Sequence, residues 1–425
     1  MTTIIRNGRI IDPANKRDEI ADLFLEDGNV VASLSEIHDP KVENIDATGL
    51  VVTPGLIDIH VHLREPGFGW KETIETGAKA AAAGGFTTLV CMPNTSPAAD
   101  NPSTIAWIKD RAAEVSGVRV LPTGAISKNL AGEELAPIGS LAQAGVVAIT
   151  DDGHCIQNHE LMRRAVEYAR MVGLPVLDHC QDYNLVGDGV VHEGYWSTML
   201  GLPGWPAIGE EVIVARNILL AELCDHQIHC QHISAAGSVR LLREARARGV
   251  KISGEVCPHH LALTDEAIQN FDTNYKMNPP LRSERDIEAL RAGIADGTLE
   301  ILASDHAPHA KFEKEVEFDL APFGIIGLET ELGLFLDLLV HKHETIGLPR
   351  LIEMFTVNPA RLLKINAGTL SVGAIADVTL IDPDLEWTVD ANATQSMSRN
   401  TPFDGWQLKG RAVETMVGGE TVWKL

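Results

Sequence analysis

The most informative segment of the chain is Asp58-Ile59-His60-Val61-His62-Leu63-Arg64-Glu65-Pro66-Gly67, which follows a mostly apolar run over residues 51–57. The end of that run is typical of a buried strand. Successive side chains of a strand alternate between its two faces, so Asp58, His60 and His62 share one face, and Arg64 joins them if the strand continues. Unpaired polar groups are costly in an apolar interior, and a divalent metal satisfies two imidazoles at once. The segment therefore predicts a metal site, although an isolated His-x-His could also bond to its neighbours.

The middle of the chain alternates candidate strands with candidate helices. Apolar runs predict eight strands, over residues 56–62, 87–92, 118–124, 146–150, 174–178, 228–233, 251–256 and 301–304. Helical periodicity is found between them, over residues 73–83, 102–115, 160–172, 208–223, 239–248 and 285–295. Eight strands alternating with helices over about 300 residues predict an α/β fold, a closed parallel (β/α)8 barrel of the TIM type. The reactive groups of such a barrel lie at the carboxyl ends of its strands.

Both ends of the chain differ from this middle part. Short β-rich runs occur at residues 3–6, 22–25 and 30–33, and again at 378–381, 412–417 and 421–425. Neither end alone is long enough to bury a convincing core. We therefore expect one small β domain built from residues 1–53 and 366–425, with the barrel at 54–365. A helix predicted over 327–340 carries an apolar stripe that is more typical of core than of an interface.

Composition and charge narrow the class of partner. The 425 residues are 45% hydrophobic and carry a formal net charge of -24. Nucleic acids and anionic membranes require clustered Lys and Arg, which this chain lacks, whereas one local Arg suffices for a small anionic substrate. The six cysteines show no Cys-x-x-Cys spacing, and no signal-peptide run follows Met1. These features predict a reduced, cytoplasmic protein whose cysteines act as small buried hydrophobes.

Metal-ligating residue types recur where the predicted strands end. They are His60 and His62 after the first strand, Asp151 and Asp152 after the fourth, His179 after the fifth, His232 in the sixth and Asp305 after the eighth. Four imidazoles and two carboxylates suit zinc, but six ligands are too many for one catalytic ion that keeps an open position. Two ions sharing a bridging ligand fit better. A two-metal site lowers the pKa of its bound water to about 7 and polarises a carbonyl, so the predicted chemistry is metal-assisted hydrolysis.

Several motifs together identify a family. They are Asp58-x-His60-x-His62-Leu-Arg-Glu-Pro-Gly67, Met92-Pro-Asn-Thr95, Cys257-Pro-His-His-Leu261, Asn278-Pro-Pro-Leu-Arg282 and Asp305-His-Ala-Pro-His309. The chain resembles dihydroorotases of the amidohydrolase superfamily over nearly its whole length. His-x-His occurs throughout the superfamily and Arg-Glu-Pro-Gly is shared with allantoinase-like members. The Asn278 and Asp305 motifs together are more specific.

The resemblance implies two Zn²⁺ per subunit and a ligand for each position. It places His60, His62 and Asp305 on the first zinc and His179 and His232 on the second. Many relatives bridge the ions with a carboxylated lysine after the fourth strand. This chain has Asp151-Asp152 there instead, as in the aspartate-bridged bacterial type, which assigns the bridge to Asp152 and a supporting or capping role to Asp151. The alternative bridge, Lys128, follows the third strand.

The same resemblance implies the substrate contacts. They are His62, Arg64, Asn94, Asn278, His309, Phe323 and Gly324. Arg64, as a bidentate fork, and Asn94 would bind a ring carboxylate. Asn278 and His309 would bind the ring amides. The backbone at 323–324 would complete the pocket. His259 and His260 follow the seventh strand. Because the six-ligand set is already full, we expect them to be buried, hydrogen-bonded histidines.

The activity implied is the reversible cyclisation of N-carbamoyl-L-aspartate to L-dihydroorotate in pyrimidine (UMP) biosynthesis, with Asp305 moving the proton. Allantoinase or hydantoinase activity is the nearest alternative. A non-catalytic subunit that scaffolds aspartate carbamoyltransferase is another, but such a subunit would be expected to lose metal ligands, and all six are present. The sequence leaves open whether the chain associates with a second copy or with aspartate carbamoyltransferase.

Overall fold

A computed structural model describes residues 2–34 and 42–425, and its fold is a mixed α/β fold. Residue 1 and residues 35–41, which belong to the predicted segment 1–53, lie outside the described residues. Among the described helices, none is long and apolar enough to cross a membrane. The strands are β1 (Thr2–Asp12), β2 (Arg17–Glu26), β3 (Asn29–Val31), β4 (Glu43–Asp46), β5 (Val51–Pro54), β6 (Leu56–Val61), β7 (Phe86–Cys91), β8 (Arg119–Pro122), β9 (Val176–Asp178), β10 (Val191–His192), β11 (Gly204–Trp205), β12 (Ile228–Cys230), β13 (Ile252–Val256), β14 (Ile301–Leu302), β15 (Val378–Thr388), β16 (Gln407–Val417) and β17 (Glu420–Lys424).

Helices occupy most of the intervals between the central strands. They are α1 (Ile74–Gly84), α2 (Pro102–Val115), α3 (Ile138–Ala144), α4 (His159–Val172), α5 (Tyr183–Val186), α6 (Tyr195–Leu200), α7 (Ile208–Cys224), α8 (Ala236–Ala247), α9 (His259–Ala262), α10 (Glu284–Ala295), α11 (Lys311–Lys314), α12 (Glu331–Phe335), α13 (Leu348–Phe355) and α14 (Val357–Leu363). The six helices predicted between the strands are confirmed, with ends shifted by at most a few residues. Local sequence fixes several of these ends. The Asn101 side chain caps α2 and is followed by proline at its first position, for example, and Gly173 in a left-handed conformation ends α4.

Two parallel sheets form the centre of the molecule. One has the order β6-β7-β8 and the other β14-β13-β12-β9. Single parallel bridges join them: Ile149 pairs with Gly124 and with Val176 on one side, and Val61 pairs with His306 on the other. The strands are buried on both faces, as expected of parallel sheets with helical crossovers. Because all these strands run in one direction, their carboxyl ends lie along the same edge.

Two predicted elements differ from the structure. The strand predicted over 146–150 is reduced to one residue that forms β-bridges, Ile149, although the N–H groups of Val147 and Thr150 donate to Pro122 O and Gly124 O. The Asp151 carboxylate then accepts from the backbone N–H groups of residues 126–127. The helix predicted over 327–340 begins only at Glu331 and continues as a π-helix over Leu336–Lys342. Residues 328–330 form a turn, the Glu331 N–H donates to Gly327 O, and the Gly327 N–H donates to His306 Nδ1.

A second sheet is built from both ends of the chain. Its order within the described residues is β17-β16-β15-β5-β1-β2-β3, with β4 paired to β1. The antiparallel pair of β5 and β15, with Val378 opposite Pro54, joins the N-terminal strands to the C-terminal ones. Its apolar face forms its own core, which includes Ile5, Ile10, Leu380 and Met416.

Candidate active site

The six predicted metal-ligating residues converge at the carboxyl edge of the parallel strands. Their ligand atoms form three groups in which every atom lies within 4.8 Å of the others. All six residues are buried. The groups are His60, His62 and Asp152; His60, His232 and Asp305; and Asp152, His179 and His232. The convergence of these residues from four strands and loops makes this the strongest candidate for a metal centre in the described part of the chain.

Asp152 lies at the middle of this arrangement. Its Oδ1 is 3.1 Å from His60 Nε2, and its Oδ2 is 3.3 Å from His62 Nε2. The same Oδ1 lies 3.8 Å from both His179 Nδ1 and His232 Nε2. One carboxylate therefore faces two separate pairs of imidazoles, which is the geometry that a bridging ligand requires.

Asp305 faces the first of these pairs from the other side. Its Oδ1 lies 3.1 Å from His62 Nε2 and 3.4 Å from His60 Nε2. Asp305 and His232 both adopt positive φ, at 48° and 33°, and Arg64 does so at 64°. Non-glycine residues rarely adopt this conformation, and it is concentrated at functional sites. Because β6 ends at Val61, Arg64 reaches the site through this turn and not by strand alternation.

Three of the imidazoles are held in a fixed orientation by a protein oxygen. Each oxygen lies at the ring nitrogen that points away from Asp152. In each case the far ring N–H donates to that oxygen, which leaves the other ring nitrogen for the centre. This is the usual arrangement of metal-ligating histidines. The bonds run from His60 Nδ1 to Glu255 Oε1 at 2.6 Å, from His62 Nδ1 to Asn94 Oδ1 at 2.9 Å, and from His179 Nε2 to Gln181 Oε1 at 2.9 Å. Two of the nitrogens left for the centre have contacts of their own: His62 Nε2 lies 3.1 Å from Asp305 Oδ1, and His179 Nδ1 lies 2.8 Å from His232 Nε2.

Charges in the site stabilise one another. Burial alone would lower the pKa of His60, but the nearby carboxylates of Asp152, Asp305 and Glu255 raise it well above its usual value. Burial likewise opposes ionisation of Asp152, and the imidazoles, His60 foremost, hold its pKa well below the usual range. The carboxylates thus attract positive charge to this point, whether a proton or a metal cation.

Two ligand atoms, His60 Nε2 and Asp152 Oδ1, have no hydrogen-bond partner among the described residues. The buried His232 Nδ1 has none there either, but the His232 nitrogen that faces Asp152 is Nε2. Buried polar atoms are normally satisfied, so unpaired ones require an explanation. A cation between His60 Nε2 and Asp152 Oδ1 would satisfy both.

A cavity of about 430 Å³ opens onto this centre. All seven residues predicted to bind substrate line it: His62, Arg64, Asn94, Asn278, His309, Phe323 and Gly324. Gly153, His154, Ala307 and Pro322 line it too, and none of them was predicted. The cavity therefore brings the predicted substrate residues together with Asp152, His179, His232 and Asp305.

Arg64 is the principal cation of this cavity wall. Its Nε donates to Pro308 O at 3.1 Å, and its Nη2 lies 3.5 Å from His309 Nε2. Burial lowers the pKa of Arg64 to about 10, so the guanidinium remains charged at neutral pH. A charged fork fixed at the cavity wall is suited to a carboxylate.

Protein oxygens orient the Asn278 amide and the His309 imidazole in the cavity wall. Asn278 Nδ2 donates to Gln181 Oε1 at 3.2 Å, whereas its buried Oδ1 has no partner in the described chain. His309 Nε2–H donates to the Phe323 carbonyl at 2.8 Å, and Lys71 Nζ lies 3.4 Å from Nδ1. Asn278 thus retains an acceptor for a ligand N–H.

Asp151, the expected supporting residue, and Lys128, the alternative bridge, both have other partners. Asp151 accepts from the backbone N–H groups of Ile126 and Ser127, at 2.7 and 3.0 Å, which supports the loop that carries Asp152. Lys128 forms an ion pair with Glu134, and both side chains are about half exposed or more. Neither belongs to the groups of ligand atoms around Asp152.

Sequence reasoning overlooked Glu255 and Gln181. Glu255 accepts from His60 and also lies 3.0 Å from His229 Nε2. It could have been found, because Ser253 and Glu255 alternate along an apolar strand as Asp58 and His60 do. Gln181 carries no such signal.

The expectation for the two histidines after β13 is confirmed only in part. His259 and His260 are both buried, and His260 Nε2 bonds to Pro279 O at 3.0 Å. Neither ring nitrogen of His259 has a hydrogen-bond partner among the described residues, so the prediction that both are hydrogen-bonded is wrong for His259. The reason is local: its ring lies against Cys257 and His260 and not against backbone oxygens.

Comparison with known proteins agrees with this picture. A family model described as dihydro-orotase-like matches residues 49–238. The chain is 50% identical to a dihydroorotase of Syntrophotalea carbinolica over all of both chains, and 53% identical to one of Pelotomaculum thermopropionicum over 99% of this chain and 98% of that one. Among solved structures, the L-hydantoinase (dihydropyrimidinase) of Arthrobacter aurescens matches with a TM-score of 0.89 and 26% identity, covering 99% of this chain and 96% of that one. Dihydropyrimidinase of Brevibacillus agri matches with a TM-score of 0.85 and 26% identity over 100% and 95%.

The fold and the site define a cyclic amide hydrolase of the amidohydrolase class, whose members depend on metal. Relatives about 50% identical over the full length narrow this class further. The chain belongs to the dihydroorotase family.

Proposed function

We propose that this chain is a zinc-dependent dihydroorotase that interconverts N-carbamoyl-L-aspartate and L-dihydroorotate in de novo pyrimidine biosynthesis. The observation that carries the proposal is one cavity lined both by the residues around Asp152 and by Arg64. The residues around Asp152 are suited to hydrolysing an amide, and Arg64 is suited to holding a carboxylate beside that amide. Family membership supports the same reaction.

Two Zn²⁺ fit the residues around Asp152. His60, His62 and Asp305 would hold one ion, His179 and His232 the other, and Asp152 both. The unpaired His60 Nε2 and Asp152 Oδ1, and the oriented imidazoles, support this assignment. When bound, such a pair lowers the pKa of water to about 7 and polarises a carbonyl.

The chain's own residues bind and orient the ring. Arg64 and Asn94 take the ring carboxylate; Asn278 Oδ1 and His309 take the ring amides, with His62 beside them. The backbone of Phe323 and Gly324 closes the wall. Gly324 has φ +116°, and a Cβ there would lie 2.6 Å from Ala307 Cβ, so the wall requires glycine.

Asp305 moves the proton. In hydrolysis its carboxylate accepts a proton from the attacking water and delivers it to the leaving ring nitrogen; in cyclisation the direction is reversed. Burial opposes ionisation of Asp305, but His60 and His62 hold its pKa below the usual range, so it is ready to accept. Because ring opening creates a new carboxylate, alkaline pH favours hydrolysis and acidic pH favours closure.

We infer that the parallel strands close into a (β/α)8 barrel over residues 54–365. The bridges that join the two parallel sheets to each other along both of their edges support this closure. Residues 1–53 and 366–425 would form the small β domain, supported by the sheet that β5 and β15 join.

Substrate turnover tests the proposal directly. Purified protein reconstituted with Zn²⁺ should cyclise N-carbamoyl-L-aspartate and hydrolyse L-dihydroorotate, and should lose both activities on chelation. Hydantoin and allantoin are the competing substrates, since hydantoinases share the fold with high similarity. Faster turnover of either one than of dihydroorotate would refute the assignment.

A further inference from the structure

A second cluster of metal-ligating side chains lies outside the ligand set around Asp152. Cys257 follows β13 directly, and His259 and His260 form the first turn of α9. One ligand atom from each lies within 4.8 Å of the other two, and all three residues are at most 2% exposed. The cluster shares no residue with the six ligands described above.

Hydrogen bonding leaves this cluster with unsatisfied lone pairs. The Pro279 carbonyl can only accept, so His260 Nε2 carries the proton of the 3.0 Å bond between them. His260 Nδ1 therefore has a lone pair, and it has no partner within the described residues. A ring whose far N–H donates to a backbone carbonyl is the usual form of a metal-ligating histidine.

His259 adds a second unsatisfied imidazole. Both of its ring nitrogens are buried and have no hydrogen-bond partner in the part of the chain described. Its ring centroid lies 4.3 Å from that of His260. Two adjacent buried rings with unused nitrogens are costly unless something binds them.

We propose that Cys257, His259 and His260 bind a Zn²⁺ ion separate from the catalytic centre. One sulfur and two imidazole nitrogens are typical zinc ligands, and three protein ligands leave one coordination position open. The ion would hold Cys257 and the two imidazoles together. Through His260 and Pro279 it would fix the end of β13 to the segment that carries Asn278, which lines the substrate cavity.

Sulfur provides the test, because the ligands around Asp152 are all nitrogen and oxygen. The full chain would be reconstituted with Zn²⁺ and measured by X-ray absorption. We expect a zinc–sulfur distance of about 2.3 Å. We also expect a thiolate-to-metal charge-transfer band when Co²⁺ replaces Zn²⁺. A wild-type spectrum with no sulfur contribution would overturn the proposal without any variant.

Variants locate the ion. Cys257→Ala should lose the sulfur signal and one equivalent of zinc, and His259→Ala should lose one equivalent too. Cys180→Ala is the matched control: this buried thiol lies beside His179, but its S–H donates to Asp178 O, and the signal should persist. A signal lost in Cys180→Ala and kept in Cys257→Ala would refute the site. The result is independent of turnover, since an inactive protein can show the sulfur signal and an active one can lack it.

Discussion

Replacing Arg64 by methionine should remove carboxylate recognition and leave the metal centre intact. Met has a similar length and packs against the cavity wall, but it cannot donate. Arg64 is not among the grouped ligand atoms around Asp152, so metal content should not change. Its Nε is occupied by Pro308 O, so the substrate must be bound by the Nη edge of the guanidinium.

The expected loss follows from charge and burial. With a pKa of about 10, Arg64 is charged at neutral pH, and it lies partly buried in the wall of the cavity. Hydrogen bonds to a charged group contribute about 1.5–3 kcal/mol each, so losing a two-donor contact should lower kcat/KM by on the order of 10²-fold or more. Arg64→Lys keeps the charge but not the fork, so the loss should be smaller, about 10-fold.

The assay compares two substrates. L-Dihydroorotate carries the ring carboxylate, and dihydrouracil is the same ring without it. Arg64→Met should slow the first compound much more than the second, at unchanged zinc content. Equal slowing of both compounds would mean that Arg64 supports the metal site or the fold, and the argument for carboxylate recognition would be refuted.

Four further substitutions test the metal centre. Asp152→Ala should lose metal and activity, whereas Lys128→Ala should retain both and bicarbonate should not affect reconstitution of the wild type; a carboxylated Lys128 in a crystal structure would contradict this. Asp305→Asn should keep the fold and most of the metal, because an amide oxygen still coordinates, but lower kcat by about 10²- to 10⁴-fold; a near-normal rate at normal metal content would remove Asp305 from catalysis. Glu255→Gln should weaken zinc affinity by about 10- to 100-fold, because the amide cannot accept from two imidazoles as the carboxylate does. Unchanged affinity in a competition assay with a chelator would show that Glu255 does not orient His60.

Sequence reasoning works where one physical rule governs many residues. Alternation along β6 places His60 and His62 on one face, and parallel strands bring their carboxyl ends to one edge, so convergence with Asp305 could be expected from spacing alone. The same rule overestimates the strand over 146–150, of which only Ile149 forms β-bridges to its two neighbours. Contacts between distant loops cannot be read from periodicity.

The backbone conformations of the site were not predictable either. Arg64, His232 and Asp305 adopt positive φ although none is glycine, the residue that most strongly signals this conformation. His259 shows a different limit. The prediction rested on the ligand set around Asp152 being complete. That argument does not test whether Cys257, His259 and His260 form a second, separate set.

The oriented imidazoles link the fold to the chemistry of the centre. Glu255 holds His60 from β13, and Asn94 holds His62 from the loop after β7, the strand paired with β6. Burial opposes ionisation of Glu255, yet His60 and His229 lower its pKa to about 2, so it is an acceptor at any physiological pH. The proton on His60 Nδ1 therefore stays directed at Glu255, and Nε2 is kept for the centre. The orientation of the His60 ring is thus fixed by the strands before a cation binds, so this ligand need not reorganise.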